Sequence, residues 1–517
     1  MKKITVTGLI CLFVFTIFAQ TKEPVPSEEI IIGRNFKTDT DIKAKECVFA
    51  DRIETWYIDD STKTMTLQLR GLSEDGNNKN DTGRVILFDL LNKQIVWNKE
   101  INYEQSYIDQ YDRVLIKTTD NKSRGLNYEN GEDLWSSKNT IYYVNSKLRI
   151  GVGYLYSSSR GFTNTLEGID LNTGKSIWKR DIKREYNLND FIQLNDSVIL
   201  ISADGLHTVN LKTGQGWNYA IHTGNKDYTN TVVSNIFDIT ISVLLGSEYE
   251  VTTGYDLITG VLSNVLVDST GIYIADMGSI VRLDYNGNVL WKSILPKKLI
   301  SKSSVFFKDN LIYMVNDGFA TYNNETVSYG KPFIAAFMKD DGRKVFLSTI
   351  GYKKEQIKAF QIQQDTLFLL SKNRIFKYSL TDGAELWEQI IKTDSLGELS
   401  GFAGSDLYIK SDSVSFRPIL SDSTNIYVFT SENKLLEFSN QLEFKGIIPE
   451  NEIFYAYLVT NGYKFLETGN SSIVIDKKNE LVAELEISGN ALLRGTKLFE
   501  AQGNSFVEIE MDQLIKK

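Results

Sequence analysis

Cysteine and histidine are nearly absent from this 517-residue chain, which holds two of each. Cys47 is the one cysteine left once the N-terminal segment with Cys11 is removed, so no internal disulfide can form. His207 and His222 are too few for a His-rich metal site or a histidine relay. We expect His207 to pack on a strand and His222 to lie in a polar loop. Core packing must therefore hold the fold.

Proline and long runs of one charge are scarce as well. With 6 prolines, the chain has no proline-rich linker that would divide it into separate domains. Acidic and basic residues are interspersed and the net charge is −9, which gives a surface that repels a polyanion. We therefore expect no nucleic-acid partner.

The N-terminus carries the one long apolar run. Two lysines precede the run at residues 4–18, and Ala19 is the small residue before the expected cut. Residues 1–19 are predicted to be a signal peptide; its removal leaves Gln20 and, with two lysines lost, changes the net charge from −9 to −11. An uncleaved membrane anchor is the alternative, but the run is short for a spanning helix. We expect an exported, soluble monomer, periplasmic or secreted.

Six of the seven tryptophans occupy the same place in a repeated segment. In the clearest copy, Asp170 is followed by Thr173, Gly174 and Trp178. The aspartate can cap the backbone of a turn, glycine takes the positive-φ position, and the tryptophan four residues later lies on the next strand. We therefore predict turn positions at Asp170, Thr173, Gly174, Asn286 and Gly287. The tryptophans predicted to dock one unit on the next are Trp97, Trp135, Trp178, Trp217, Trp291 and Trp387, and Trp56 lies outside the pattern.

Two further apolar runs precede each turn, as at residues 191–194 and 198–201. Four short strands per unit, at intervals mostly of roughly forty residues, are typical of a propeller blade. The motif Asp-x-x-Thr-Gly-x-x-x-Trp resembles the PQQ-like β-propeller repeat over residues 85–390. That family includes quinoprotein dehydrogenases and the non-catalytic propeller of the outer-membrane β-barrel assembly machinery. The resemblance implies an all-β fold, a single β-propeller of about eight or more four-stranded blades.

Ten units can be marked along the chain. The family usually has seven or eight blades, so one or two units are expected to be insertions. The last unit ends at residues 506–509 and lacks an outer strand, which Ile30–Ile32 is expected to supply. This pairing of N- and C-terminal strands would close the ring and remove exposed edges. We divide the mature chain into a ring-closing segment at 20–45 and a propeller at 46–517.

Residues 222–257 lengthen one interval beyond a single blade and are predicted to be an insertion, with an apolar stretch at 232–245. Two interpretations stay open: an element that docks a partner, and a strand or helix laid over the propeller's own face, which is favoured. The long loops at one face of a propeller suit it to hold another protein or peptide.

No catalytic residue, cofactor or metal site is predicted. Quinoprotein dehydrogenases of the family share an adjacent-cysteine disulfide, a Ca²⁺ site and a tryptophan platform; this chain has no such cysteine pair, and its tryptophans serve the blades. Residues 74–81 are rich in oxygen ligands, but Lys79 breaks the alternation of a calcium loop, which favours a solvated hairpin. Gly151 and Gly153 lack the third glycine of a dinucleotide site.

The sequence thus favours a non-catalytic scaffold that binds a protein or peptide in the cell envelope. A PQQ-dependent enzyme, or another enzyme with a site in the channel, is one alternative. A glycan-binding or sensor module is the other.

Overall fold

The computed structural model describes residues 23–73, 78–119, 121–157, 161–184, 188, 190–221, 225–227, 256–259, 261–296, 301–322, 325–351, 356–392, 396–419, 424–469 and 471–514. The predicted signal peptide at 1–19 and His222 lie outside these ranges, as does most of the predicted insertion at 222–257. Within the described ranges, no helix is long and apolar enough to cross a membrane.

The first half of the chain forms three leading strands and four blades. The leading strands are β1 (Glu23–Pro24), β2 (Ser27–Asn35) and β3 (Thr40–Val48). Blade 1 comprises β4 (Arg52–Asp59), β5 (Thr64–Leu72), β6 (Lys79–Asp89) and β7 (Gln94–Asn102), and blade 2 comprises β8 (Tyr107–Tyr111), β9 (Val114–Thr119), β10 (Lys122–Leu126) and β11 (Asp133–Ser137). Blade 3 comprises β12 (Asn139–Asn145), β13 (Ile150–Ser157), β14 (Gly161–Asp170) and β15 (Ser176–Asp181), and blade 4 comprises β16 (Asp190–Asn195), β17 (Val198–Ser202), β18 (Gly205–Asn210) and β19 (Asn218–Ala220).

The second half begins with β20 (Asn225–Asp227) and β21 (Asp256–Thr259). Blade 5 comprises β22 (Leu266–Asp268), β23 (Gly271–Ala275), β24 (Ser279–Leu283) and β25 (Val289–Ile294). Blade 6 comprises β26 (Ser303–Lys308), β27 (Leu311–Asn316), β30 (Phe333–Met338) and β31 (Lys344–Thr349), with β28 (Phe319–Tyr322) and β29 (Glu325–Ser328) inserted. Blade 7 comprises β32 (Ala359–Gln363), β33 (Thr366–Leu370), β34 (Arg374–Ser379) and β35 (Glu385–Ile390).

Three blades complete the chain. Blade 8 comprises β36 (Leu399–Phe402), β39 (Asn425–Thr430), β40 (Leu435–Ser439) and β41 (Phe444–Ile448), with β37 (Leu407–Lys410) and β38 (Phe416–Pro418) inserted. Blade 9 comprises β42 (Ile453–Thr460), β43 (Tyr463–Thr468), β44 (Ser471–Ile475) and β45 (Leu481–Leu485). Blade 10 comprises β46 (Leu492–Arg494), β47 (Lys497–Gln502), β48 (Ser505–Glu510) and the leading strand β3, and short 3₁₀ turns lie at Glu450–Glu452 and Met511–Gln513.

The described residues thus form a β-propeller with ten blades, each an antiparallel set of four strands. The expectation that one or two of the ten marked units are insertions is wrong, because every unit has its full set of strands. Central strands such as β17 are buried along nearly their whole length, since neighbouring blades cover both faces. Fourth strands such as β15, at the rim, bury little besides their tryptophan.

The hydrophobic cores lie between successive blades. Trp178 and Val152 of blade 3, for example, pack with Ile201 of blade 4. Between blades 8 and 9 the β37–β38 hairpin is interposed, with Ile409 against blade 8 and Tyr408 against blade 9. A cluster shared by blades 10 and 1 completes the ring; its members include Cys47, Phe506 and Phe88.

The N-terminus closes the ring, but with a different strand from the one expected. The strand that pairs with β48 is β3, from Ala44 opposite Ile509 to Val48 opposite Ser505. Ile30–Ile32 lies instead in β2, one strand further out, which pairs with β3 and touches β45. Burial does not separate the two strands, since Ile32 of β2 is buried in the same cluster as Ile42 of β3, but β3 alone pairs with β48.

Candidate functional site

Five of the predicted docking tryptophans lie at the junctions between blades and bond to the next blade. Their indole N–H groups donate to backbone carbonyls: Trp97 to Tyr128 (2.8 Å), Trp135 to Leu171 (2.7 Å), Trp178 to Leu211 (2.7 Å), Trp217 to Tyr285 (2.9 Å) and Trp291 to Lys339 (2.9 Å). Four of the rings are buried and Trp217 is half-buried. A buried indole needs a partner for its N–H, so each bond sets how one blade stacks on the next.

The turn at Asp170 explains the residues that precede each tryptophan. The Asp170 carboxylate accepts the Asn172 N–H and the Thr173 hydroxyl, both at 2.9 Å, and these bonds hold its pKa below the ordinary value. Gly174 has a φ of 68°, and a Cβ there would lie 2.7 Å from the Trp135 side chain. Glycine is therefore required both by the backbone and by the ring that packs on it.

The corresponding turn of blade 5 is one residue shorter and works in the same way. The backbone N–H of Asn286 donates to the Asp284 carboxylate at 2.8 Å. Gly287 has a φ of 83°, and a Cβ there would lie 2.5 Å from the Trp217 ring. The predicted turn residues thus occupy turns, and their glycines contact the tryptophan of the preceding blade.

Trp387 differs from the prediction, because its side chain is 54% exposed instead of docked. At the next turn, Leu442 has the positive φ, 65°, that glycine has elsewhere. Its side chain is buried in the core between blades 7 and 8, the space a docked ring would need. The sequence signal for this departure was the missing glycine at residues 440–443.

The isolated histidine and cysteine do not form a catalytic group with each other. His207, on β18, shares a hydrogen bond of 2.7 Å between its Nδ1 and Asn218, and burial lowers its pKa. Cys47 lies in β3 at 1% exposure, and burial raises the pKa of its thiol. In the part of the chain that the structure describes, no three His, Cys, Asp or Glu side chains converge as metal ligands.

The oxygen-rich segment at 74–81 connects two strands of blade 1. Residues 74–77 lie outside the described ranges. On either side, Leu72 pairs with Lys79, and the Ser73 N–H donates to the Asn78 carbonyl at 2.7 Å. The Lys79 ammonium binds Glu54 at 2.5 Å.

The two faces of the propeller are unequal. Because antiparallel strands alternate in direction, the connections from first to second and third to fourth strands leave from one side, which we name the turn face. All other connections leave from the opposite side, the loop face. The long connections of the loop face are 182–189, 221–265, 295–302, 317–332, 350–358 and 391–398. Six long connections thus leave from the loop face, above blades 3 to 8, and one, 403–424 with the β37–β38 hairpin, leaves from the turn face and packs between blades 8 and 9.

A small sheet outside the blades lies on the loop face. Strands β20 and β21 come from the connection between blades 4 and 5, which contains the predicted insertion, and β28 and β29 come from blade 6. Ile258 pairs with Tyr322 and Thr259 with Thr321, which joins the two hairpins into one four-stranded sheet. We name these four strands the insertion sheet.

A buried polar network anchors the insertion sheet to blade 6. The Ser301 hydroxyl donates to the Asn316 side-chain carbonyl at 2.7 Å and accepts the Gly318 N–H at 2.8 Å. The Asn316 amide donates back to the Ser301 carbonyl at 3.2 Å. Ser301 and Asn316 are fully buried, so these bonds hold the base of the β28–β29 hairpin in one position.

Asp317 is the most strongly perturbed acid near this anchor. Its side chain is 9% exposed, and burial raises its pKa to about 7, with Lys302 acting in the opposite direction. The Lys302 ammonium lies 5.4 Å from the centre of the Phe319 ring on β28. The carboxyl with this raised pKa lies at the junction of the insertion sheet and blade 6.

Comparison with known proteins finds one matching family model and several solved structures of similar fold. A family model described as outer membrane protein assembly factor BamB matches residues 78–243. The match covers less than half of the chain, and in this region the repeats are similar to PQQ-like β-propeller repeats. No protein with a curated description matches the chain in sequence.

Several solved structures resemble the chain at low identity. BamB from Moraxella catarrhalis is 12% identical, with 80% of this chain and 99% of that chain covered at a TM-score of 0.34. The designed protein Ika8 is 12% identical, with 74% and 99% covered at 0.28. Hsv2 of Kluyveromyces lactis is 11% identical, with 66% and 98% covered at 0.28. These likenesses carry no argument about partners.

Proposed function

We propose that the chain is an exported, non-catalytic propeller that holds another protein or peptide in the cell envelope. The signal peptide predicted at residues 1–19 supports export, and the description of the matched family, an outer membrane assembly factor, supports an envelope role. The observation that carries the proposal is the insertion sheet. It stands outside the ten blades on the loop face, and loops on a rigid scaffold are where proteins place their binding residues.

The test is recovery of a partner from envelope fractions of the native host by the immobilised mature chain. A variant without residues 222–257 should lose the partner. The control is Leu91→Ser, which changes a 74% exposed side chain on the turn face. This variant should still recover the partner. Equal recovery by both variants would contradict a loop-face site.

The enzyme alternative is tested on the same preparation. After incubation with PQQ and Ca²⁺, we expect no stoichiometric binding of PQQ and no turnover of alcohols or sugars with an artificial electron acceptor. Tight binding with turnover would replace the scaffold proposal by an oxidoreductase. Specific retention on a glycan surface, lost in the variant without residues 222–257, would instead support a glycan-binding module.

A further inference from the structure

The fourth strand of blade 7 has a free edge and exposed apolar side chains on both faces. In the described part of the chain, β35 pairs only with β34. Trp387 is 54% exposed on one face and Ile390 is 54% exposed on the other, and Leu386, at a bulge of the strand, is 49% exposed. At the start of β41, the fourth strand of blade 8, Phe444 is 53% exposed. Such an edge is a template for another strand.

The chain itself covers three other fourth strands with added strands. β1 pairs with β7 through Glu23 and Pro24. β2 pairs with β3 and, through Gly33–Asn35, with β45. Blades 1, 9 and 10 therefore already show that an extended segment adds to the rim of this propeller.

Trp387 is available because its internal docking site is filled. In several other turns the positive-φ position is a glycine. Here it is Leu442, whose side chain lies in the core between blades 7 and 8. The carbonyl that would accept the indole N–H, that of Asn440, accepts the Lys377 ammonium instead at 2.9 Å. Lys377 is the cross-strand neighbour of Trp387, so the ring cannot take its place.

The charge around β35 indicates the chemistry of an added strand. Asp382 and Glu385 lie where the strand begins, and hydrogen bonds from the Ser379 hydroxyl and the Ala384 N–H lower the pKa of Asp382. The Glu388 carboxylate is paired with Arg374. A segment with lysine or arginine near the start of β35 complements these acids, and the net charge of −9 disfavours a second copy of the chain.

We propose that the rim of blade 7 binds an extended segment of another protein, which pairs with β35 as an added strand. Its apolar side chains contact Trp387 on one face and Ile390 on the other, and a basic residue lies near Asp382 and Glu385. This site goes beyond the function proposed for the loop face, since it lies on a different surface.

The experiment uses the mature chain and a ten-residue peptide with alternating valine and threonine between lysine pairs. A control peptide has the same sequence with its backbone amides N-methylated along both edges, so that it cannot pair as a strand through either edge. Binding is followed by the emission of Trp387, the most exposed tryptophan described, and by hydrogen exchange of β35 amides. We expect a blue shift and slower exchange with the first peptide only.

Four variants locate the site. Trp387→Ala and Ile390→Lys should weaken peptide binding by about tenfold or more. The matched control is Ile294→Lys on β25, where the side chain is 72% exposed but Trp291 is docked; its affinity should stay unchanged. A variant without residues 222–257 should also bind normally, which separates this proposal from the loop-face one. Absence of binding, equal binding of the N-methylated peptide, or equal loss with Ile294→Lys would overturn the proposal.

Discussion

The ammonium of Lys377 donates to the carbonyl of Asn440 at 2.9 Å, and it does so at the position where other junctions use a tryptophan. At the junction of blades 6 and 7, where Phe346 stands in place of tryptophan, the Tyr313 hydroxyl donates to the Leu380 carbonyl at 3.0 Å. At different junctions, an indole N–H, a phenol hydroxyl and an ammonium group thus donate to the equivalent turn carbonyl. The feature common to these junctions is a turn carbonyl that accepts a hydrogen bond from the preceding blade. A buried carbonyl without a donor would weaken the packing of one blade on the next.

The first prediction compares two tryptophans of the same motif. Trp178→Ala removes a ring that is 8% exposed and leaves the Leu211 carbonyl without its donor, so it should lower the free energy of unfolding by about 3–5 kcal/mol. Trp387→Ala removes an exposed ring and should change the free energy of unfolding by no more than about 0.5 kcal/mol. Urea unfolding of both variants measures the difference, and equal losses would show that Trp387 is docked in solution.

The second prediction separates backbone strain from steric contact. Gly174 and Gly503 have similar φ angles, 68° and 61°, but a Cβ at Gly174 would meet the Trp135 ring whereas one at Gly503 would meet nothing within 4 Å. Gly503→Ala should therefore cost about 1–2 kcal/mol, for the left-handed conformation alone. Gly174→Ala should cost more, about 3 kcal/mol or above, because the ring must move. Thermal melts that rank the two variants in the opposite order would contradict this assignment.

The repeated motif could be predicted from the sequence because its causes are local. Asp170, Thr173, Gly174 and Trp178 lie within nine residues, and the turn chemistry that joins them does not depend on the rest of the fold. The same spacing predicted the strands around them.

Two features could not be predicted, since they depend on distant parts of the chain. Whether Trp387 docks is decided by Leu442, in the next blade, and the tryptophan motif by itself does not contain that information. The prediction of Ile30–Ile32 as the ring-closing strand is wrong, because β2 and β3 pair side by side and both place residues in the same core. Only the pairing with β48 distinguishes them. The insertion sheet likewise arises from two connections that lie far apart in sequence.

The third prediction concerns export. Protein isolated from the native host should begin at Gln20, or at its pyroglutamate form, without a lipid. Intact mass and N-terminal peptide analysis check this directly. Retention of Met1, or a lipid on a cysteine, would contradict a cleaved signal peptide.

The fourth prediction concerns the closure of the ring at Glu508. Burial opposes ionisation of this carboxyl, but the ammonium groups of Lys497 and Lys93 outweigh it and hold its pKa below the ordinary value. Lys93 belongs to blade 1 and Glu508 to blade 10, so the pair links the two ends of the ring. Glu508→Gln should cost about 3 kcal/mol at pH 7.

The sign of its pH dependence follows from the lowered pKa. The stabilisation is present above the unfolded-state pKa of a glutamate, about 4.3, and is lost as the pH falls through the lower folded-state pKa. The difference between Glu508→Gln and the wild type should therefore shrink below about pH 4. Glu510→Gln, on the same strand with a 48% exposed side chain, is the control and should change stability little. A difference that is constant from pH 3 to pH 7 would rule out this ion pair as the cause.

The fifth prediction concerns Asp317, whose pKa moves in the opposite direction. Burial raises its pKa to about 7, so between pH 4 and pH 7 the folded chain binds more protons than the unfolded chain. The free energy of unfolding should therefore fall as the pH rises through this window. Asp317→Asn removes this ionisable group. Its effect on the free energy of unfolding should therefore be more favourable at pH 8 than at pH 4, by about 2–4 kcal/mol.

Urea unfolding at pH 4, 6 and 8 measures this effect, and Asp309→Asn provides the control. Asp309 lies in the β26–β27 turn of the same blade, and its side chain is 85% exposed. Its replacement should leave the pH dependence of the wild type unchanged, because an exposed carboxyl is hydrated in both states. If Asp317→Asn keeps the wild-type slope between pH 4 and pH 8, the carboxylate must reach water or the Lys302 ammonium in solution.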